Sequence, residues 1–289
     1  MKILVTGKSG QVGYELERSL QGLGEIIALD RSQMDLSDLI QVRNVIREIK
    51  PDLIVNPAAY TAVDKAETEV ELAMRVNGEA PGLMAEEAKK LGAAIIHYST
   101  DYVFDGTKAS PYVESDPTCP INVYGASKLA GEQAIQASGA AHLILRTSWV
   151  YGMRGKNFLL TVLRLAQDRD ELRIVGDQHG APTWCRTIAD ATAHIIIKGT
   201  INGYSQDWWQ EKTGLYHLTA QGQTTWAGFT EAILANAVLQ KKPKVTAITT
   251  QEYPLPAKRP HYSVISSKKL IDEFCDLPAW EKSLNLCQF

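Results

Sequence analysis

Apolar residues enter this chain as short unbroken runs, separated by stretches in which they recur every three or four positions. "KILVTG" is such a run ending in Thr-Gly, the pattern of a parallel strand buried on both faces. From Gln11 to about Leu20 the spacing turns helical, and "EIIALD" opens the next strand. "DLIVNPAA" (52–59), "AAIIHYST" (93–100) and "HLILRTSWVYG" (142–152) read as three more, each preceded by a helical stretch. One of those helices is long and amphipathic, through "AMRVNGEAPGLMAEEAKKLG"; another carries "VYGASKLAGE" (123–132). Strand and helix alternating in this order predict an α/β fold with a Rossmann-type doubly wound parallel sheet.

Past about residue 151 the alternation loosens. A helix near 157–168, a strand "LRIV", a turn-rich loop "GDQHGAPT" and a helix around 187–198 come first. A strand "GLYHLT", a helix from about Thr225, a strand near 245–249 and the proline-rich "EYPLPAKRP" (252–260) complete the chain. Residues 1–150 are therefore expected to form a dinucleotide-binding domain. Residues 151–289 are expected to form mainly a smaller C-terminal α/β substrate-binding lobe at the carboxyl edge of the sheet, with some segments returning to the first domain.

Composition narrows the classes. The chain has 289 residues, 45% hydrophobic and 22% charged, with a net charge of −3. That balance provides no global positive field for nucleic acid. No apolar run reaches the roughly 18–20 residues that cross a bilayer, so no membrane partner is expected. Cys119, Cys185, Cys275 and Cys287 have neither ligand spacing nor a dense framework, which points to a reducing cytoplasm. "MKILVTG" reads as a strand entering a glycine turn, not as a leader.

"VTGKSGQVG" sets Gly7, Gly10 and Gly13 at three-residue intervals between the first strand and the first helix. Glycines there allow a tight turn, close approach of backbone to a pyrophosphate, and close packing of helix on strand. The helix N-terminus then offers free N–H groups and its positive dipole end to phosphate. A purely structural βα turn has similar glycines, so the turn is informative only with its partners. Asp30 ends the second strand, about 20 residues on, where a carboxylate accepts from a ribose 2′-hydroxyl. Arg31 follows and suits a 2′-phosphate. NADH and NADPH both remain open.

Tyr124 and Lys128 are four residues apart on one predicted helix and so share a face. A ketone that accepts hydride needs a proton donor at its oxygen, and free tyrosine, with a pKa of about 10, is a weak one. An ammonium one turn away is expected to lower that value. Thr100, closing "YST", emerges at the carboxyl edge, where its hydroxyl can bond the substrate oxygen or the tyrosine. Tyr124, Lys128 and Thr100 are thus the candidate catalytic residues.

With the glycine turn, Thr100 and the Tyr-x-x-x-Lys helix in this order, the chain resembles the extended short-chain dehydrogenase/reductase family. "VNPAAYTAVDKAE", "HYSTDYVFDG", "RTSWVYG", "DQHGAPT", "GLYHLTAQGQTTW" and "AKRPHYS" make it similar, end to end, to that family's dTDP-4-dehydrorhamnose reductases. The resemblance implies an NAD(P)H-dependent reduction of the 4-keto group of a dTDP-6-deoxy-hexulose. It also implies backbone contacts from Gln11 and Val12 to the pyrophosphate, Asp30 at the adenosine ribose, and Asp35 and Leu36 near the adenine. Ala59 and Thr61 would line the nicotinamide side, Tyr124 and Lys128 would bind its ribose, and Thr100, Asp101 and Trp149 would touch the sugar. Dehydratases of the wider family follow the threonine with Asp-Glu; here Tyr102 follows Asp101, so the second carboxylate of an elimination is missing.

Other readings stay open at this level. Reduction or epimerisation of a different nucleotide sugar fits the same motifs, as does a non-catalytic regulatory subunit of the same fold. Arg259 either pairs with the substrate diphosphate or braces the proline-rich loop. Asn56 and Asn77 fit cofactor contacts or satisfied backbone groups, and Trp149 and Asp101 also have structural readings, as a core residue and a turn cap. Trp208 and Trp209 sit in the irregular-looking "NGYSQDWWQEKTG", as an interface patch or a lid. Some family members carry magnesium at a subunit contact; Glu15 and Asp190 are candidate carboxylates, but Arg186 stands where a further acid is expected. No metal ligand set is assigned, magnesium stays open, and the chain is a monomer or a homodimer.

Overall fold

β1 (Lys2–Val5) leads through the glycine turn into α1 (Gln11–Ser19), then β2 (Glu25–Ala28), α2 (Leu39–Ile49) and β3 (Leu53–Asn56). α3 (Val63–Ala66), α4 (Val70–Met74), a π-helical turn (Arg75–Glu79) and α5 (Ala80–Leu91) precede β4 (Ala94–Thr100). A 3₁₀ turn (Asp101–Val103), α6 (Val123–Ser138) and β5 (Ala141–Thr147) follow. The structure, a computed structural model, describes residues 1–201 and 203–289.

Beyond β5 come β6 (Val150–Tyr151), α7 (Phe158–Asp168), β7 (Glu171–Val175), β8 (His179–Gly180), β9 (Thr183–Trp184) and α8 (Cys185–Thr200). Next are α9 (Gln206–Glu211), β10 (Gly214–His217), β11 (Thr224–Thr225), α10 (Trp226–Asn236), β12 (Lys244–Ile248), α11 (Lys268–Glu273) and α12 (Trp280–Leu286). The main sheet runs β10-β5-β4-β3-β1-β2, every pair parallel. β3, β4 and β5 are buried along their whole length, which is why their sequences read as unbroken apolar runs. Chain order reverses between β1 and β3, the switch point that opens a crevice at the carboxyl ends of the strands.

Residues beyond 151 divide between two bodies. β7 pairs with β12, and α7, α10 and α12 close a separate core with Leu159, Phe229, Ile233 and Trp280. α8, α9, β10 and α11 instead rejoin the main sheet: Ile188, Ile195, Trp209, Tyr216 and Leu270 share the core of Ile3, Val5 and Leu143.

Four local expectations need correction. "HLILRTSWVYG" is not one strand: β5 ends at Thr147, and Trp149 takes φ +45°, a conformation uncommon for a bulky residue, so Val150 and Tyr151 pair with β9 instead. "GDQHGAPT" is more than a loop, since it contains β8 and the start of β9. The long helix is interrupted at Arg75–Glu79, just ahead of Pro81, which has no N–H to return to Asn77. Trp208 and Trp209 lie in α9, where Trp209 is fully buried and Trp208 packs against Gly199 and Phe274. They are core, not lid or patch.

A Cβ on Gly13 would stand 2.1 Å from the Gly7 carbonyl oxygen, whereas one on Gly10 would find nothing closer than 3.3 Å. Gly13→Ala is therefore expected to cost about 1–3 kcal/mol through overpacking, and Gly10→Ala much less. Urea unfolding of the two variants measures the difference.

Candidate active site

The candidate residues gather at the carboxyl edge. Gly7, at φ +60°, packs against Ala58 beyond β3. The Gly10 N–H donates to the Gly7 carbonyl (2.9 Å), and α1 starts with no side-chain cap and no acidic residue in its first turn. That uncapped turn at the switch point, with Gln11 and Val12 as its first residues, fits a dinucleotide pyrophosphate. The Gln11 side chain turns away to accept from Asn157 Nδ2 (2.8 Å). Asn77, buried, grips both backbone groups of Tyr60 (2.8 and 3.0 Å) and donates to Ser127 Oγ (3.0 Å), so it holds the Ala59–Thr61 loop.

At the end of β2, Asp30 accepts from the N–H and hydroxyl of Ser32 (2.9 and 2.6 Å), and Lys8 Nζ stands 3.8 Å away. The Ser32 bonds hold the Asp30 carboxyl below its ordinary value. Arg31 is exposed and pairs with Asp35 at 3.0 Å; Asp35 also accepts from the N–H and hydroxyl of Ser37. Leu36 is buried among Leu4, Met34 and Ile54, so only its backbone is free to face a base. Lys8 was not singled out by spacing, although it lies within the glycine turn.

Thr100 closes β4 and is buried. Its hydroxyl donates to Asp101 Oδ1 (3.2 Å) and accepts from the Tyr102 N–H (3.2 Å). Asp101 is 2% exposed, and its Oδ2 has no hydrogen-bond partner among the described residues. Burial pushes its carboxyl up to about 7, against the pull of the Ser263 and Thr100 hydroxyls. Unfolded, that group has its ordinary value of 3.8. Between the two values the folded protein holds a proton that the unfolded chain has lost, so stability falls as pH rises through this window. Asp101→Asn is expected to remove the slope, gaining on the order of 4 kcal/mol relative to the parent between pH 4 and pH 8, as read by urea unfolding at both pH values.

Tyr124 and Lys128 lie on α6, which begins at Asn122, whose side chain accepts from the Gly125 N–H (2.7 Å). Tyr124 is half-buried, and Tyr102 meets its ring edge-on at 6.0 Å. Its surroundings push the hydroxyl up to about 12, chiefly by desolvation; the Thr100 hydroxyl works the other way. The expected lowering by Lys128 is not found. Lys128 is 2% exposed, and its Nζ donates instead to the Tyr98 carbonyl (2.6 Å) and lies 3.2 Å from His97 Nε2. Burial takes Lys128 down to about 8, with Glu132 opposing. Thr100, not Lys128, is the group that favours the tyrosinate.

Trp149 is half-buried and stacks on Trp226 (centroids 3.6 Å apart, planes within 6°), with its indole laid over Gly180, where a Cβ would meet it at 2.3 Å. Arg259 grips Asp64 of α3 through two bonds (2.6 and 2.8 Å), and Asp64 also accepts from the Ala257 N–H. The guanidinium therefore braces the proline-rich segment, and Tyr102 lies beside it. Asp190 accepts from Ser19 (2.6 Å) and has Arg186 at 3.8 Å. No cluster of three or more metal-ligating side chains occurs among the described residues, nor is any described helix long and apolar enough to cross a membrane.

The chain is similar to known proteins along nearly its whole length. A dTDP-4-dehydrorhamnose reductase of Burkholderia thailandensis is 50% identical over 294 residues, 99% of this chain and 98% of the relative. One of Escherichia coli K12 is 46% identical over 97% of this chain and 95% of its own. The crystal structure of the dTDP-4-dehydrorhamnose reductase of Bacillus anthracis, in complex with NADP, superposes with a TM-score of 0.90 at 34% identity, covering 99% and 98% of the two chains. The model of the RmlD substrate binding domain family matches residues 1–288, and the chain belongs to that family.

Proposed function

We propose that this protein reduces the 4-keto group of dTDP-4-dehydro-6-deoxy-L-mannose to give dTDP-L-rhamnose, the activity for which its relatives are named. The observation that carries the reading is that Tyr124 and Lys128 meet the end of β4 at Thr100 and Tyr98, on the carboxyl edge of the sheet whose β1 leads into the uncapped N-terminus of α1. Bound at the glycine turn, a reduced nicotinamide cofactor supplies the hydride. Gln11 and Val12 would hold its pyrophosphate through backbone N–H groups, with Gly7, Gly10 and Gly13 shaping the turn that lets it approach, and Ala59, Thr61 and Lys128 would flank the nicotinamide end. Asp30 serves a ribose hydroxyl, while Lys8 and Arg31 serve a 2′-phosphate, so both NADH and NADPH are accepted.

Tyr124 is the proton donor. With its hydroxyl near 12, it is protonated at neutral pH. It still lies well below an alkoxide's conjugate acid, which resembles water at about 15.7. Transfer to the reduced oxygen is therefore downhill without any extreme shift of the phenol. The Thr100 hydroxyl stabilises the tyrosinate left behind, and Lys128 serves the nicotinamide ribose. Asp101 and Trp149 face the sugar. Arg259, anchored by Asp64, meets the diphosphate with its remaining donors.

The test is a panel of keto-sugar nucleotides assayed for cofactor oxidation, with the product identified by NMR. The dTDP-linked substrate is expected to turn over fastest and to yield dTDP-L-rhamnose. Faster turnover of a GDP- or UDP-linked sugar, or no oxidation at all, overturns the assignment.

A further inference from the structure

Behind Lys128 the structure contains a buried chain of polar side chains with no direct part in the reaction. Thr6 Oγ1 lies 2.6 Å from Asn56 Oδ1, Asn56 Nδ2 lies 3.0 Å from His97 Nδ1, and His97 Nε2 lies 3.2 Å from Lys128 Nζ. Thr6, Asn56, His97 and Lys128 are each no more than 2% exposed, so each must be satisfied from within the chain itself. Thr6 Oγ1 also accepts from the Ala58 N–H (3.3 Å), which ties the chain to the wall of the glycine turn.

A neutral imidazole has one donor and one acceptor nitrogen. If Lys128 is an ammonium, His97 Nε2 must accept from it. Nδ1 then carries the hydrogen and donates to the Asn56 carbonyl, and the Asn56 amide donates to Thr6. If Lys128 is an amine, its lone pair accepts from Nε2–H. Nδ1 now accepts from the Asn56 amide, and the Asn56 carbonyl accepts from the Thr6 hydroxyl. The two arrangements differ by one tautomer and by turning the Asn56 amide end for end, with no heavy atom displaced beyond that turn. The Thr6 hydroxyl, both donor and acceptor, closes the chain in either sense. In both, Lys128 keeps its bond to the Tyr98 carbonyl.

We propose that His97 is a positioning residue for Lys128, exchanging imidazole tautomers as Lys128 gains or loses its proton so that the lysine stays fixed below Tyr124 in both charge states. The inference rests on the reading of Lys128 as part of the reduction site. The groups acting on Lys128 are Glu132, one turn along α6 and paired with Arg146 of β5, and His97 of β4. Among the described residues Lys128 is the one charge acting on His97, whose titration burial drives far below the ordinary range; His97 therefore stays neutral and can answer Lys128 only by changing tautomer.

NMR of protein labelled with ¹⁵N-histidine, with neither cofactor nor sugar present, tests this directly. His97, identified by its loss in His97→Gln, is expected to move its proton from Nδ1 to Nε2 as Lys128 titrates near 8, and to show no such exchange in Lys128→Met. One tautomer throughout the wild-type titration, or the same exchange in Lys128→Met, overturns the proposal. A kinetic arm separates positioning from mere packing. His97→Leu removes the ammonium's acceptor, so the alkaline limb of kcat is expected to move down by about one pH unit, and His97→Gln, which can donate or accept, restores it. A His97→Leu profile that superposes on the parent also overturns the proposal. Where that variant does not fold, the tautomer measurement on the wild type decides. Because that measurement needs no turnover, failure of the proposed sugar reduction leaves it interpretable.

Discussion

Tyr124→Phe is expected to lower kcat on the keto-sugar nucleotide by about a hundred- to ten-thousandfold, the range over which positioned acids act, while affinity for the nicotinamide cofactor stays near the parent value. The contrast follows from what the substitution removes. The edge-on contact with Tyr102 involves the ring, not the hydroxyl, and the α6 backbone is held by the Asn122 cap and by the Ser127 hydroxyl donating to the Tyr124 carbonyl. Phenylalanine preserves these contacts, so the wall of the cleft keeps its shape. Lost are the proton and the hydroxyl on which Thr100 acts, while Thr100 keeps its bonds to Asp101 and the Tyr102 N–H. Single-turnover kinetics with the cofactor prebound separates the two quantities, and a variant that reduces the sugar at the parent rate removes Tyr124 from the mechanism.

How much of this was legible beforehand follows from the range of the interactions. The glycine turn and the Tyr124–Lys128 pair are local patterns, set by helix geometry and by the short distance between consecutive elements, and their elements fall where the spacing put them. What was missed depends on contacts between distant segments. β10 looked like part of the second lobe because its apolar run reads alike wherever it pairs; only the register Tyr216 to Leu145 places it in the main sheet. The break at Trp149 needs Gly180 and Trp226, residues with no local signal, to hold an indole in the left-handed region. Arg259 finds Asp64 across 195 residues.

Charge was harder to read than position. Tyr-x-x-x-Lys spacing suggests a direct effect of ammonium on phenol, but spacing cannot reveal that the Tyr98 carbonyl and His97 engage that ammonium first. Nor can it reveal that burial dominates both groups. "HYST" did contain the clue: alternate residues of a strand share a face, so His97 and Ser99 point to one side and Tyr98 and Thr100 to the other. A histidine in an otherwise apolar run buried on both faces must find polar partners.

Glu132→Leu is expected to destabilise the protein by about 3–5 kcal/mol, the cost of leaving one member of a buried ion pair uncompensated. Arg146 donates to both oxygens of Glu132, at 2.9 and 2.7 Å, and neither side chain is more than 4% exposed. Its third nitrogen, Nη1, has no partner among the described residues, and the Phe104 ring lies 5.0 Å from the guanidinium carbon. His217, its neighbour on β10, is kept neutral by burial and by the Arg146 charge. Adding Arg146→Leu removes the stranded guanidinium, so the double variant should recover most of the loss. Activity should not recover in step. Glu132 is the anion that keeps Lys128 charged against burial; without it the lysine loses its proton at lower pH, and the alkaline limb of kcat moves down in the single and the double variant alike. Urea unfolding and pH–rate profiles on the same three proteins measure both. Recovery of stability together with the parent's alkaline limb would mean that Glu132 serves the fold alone.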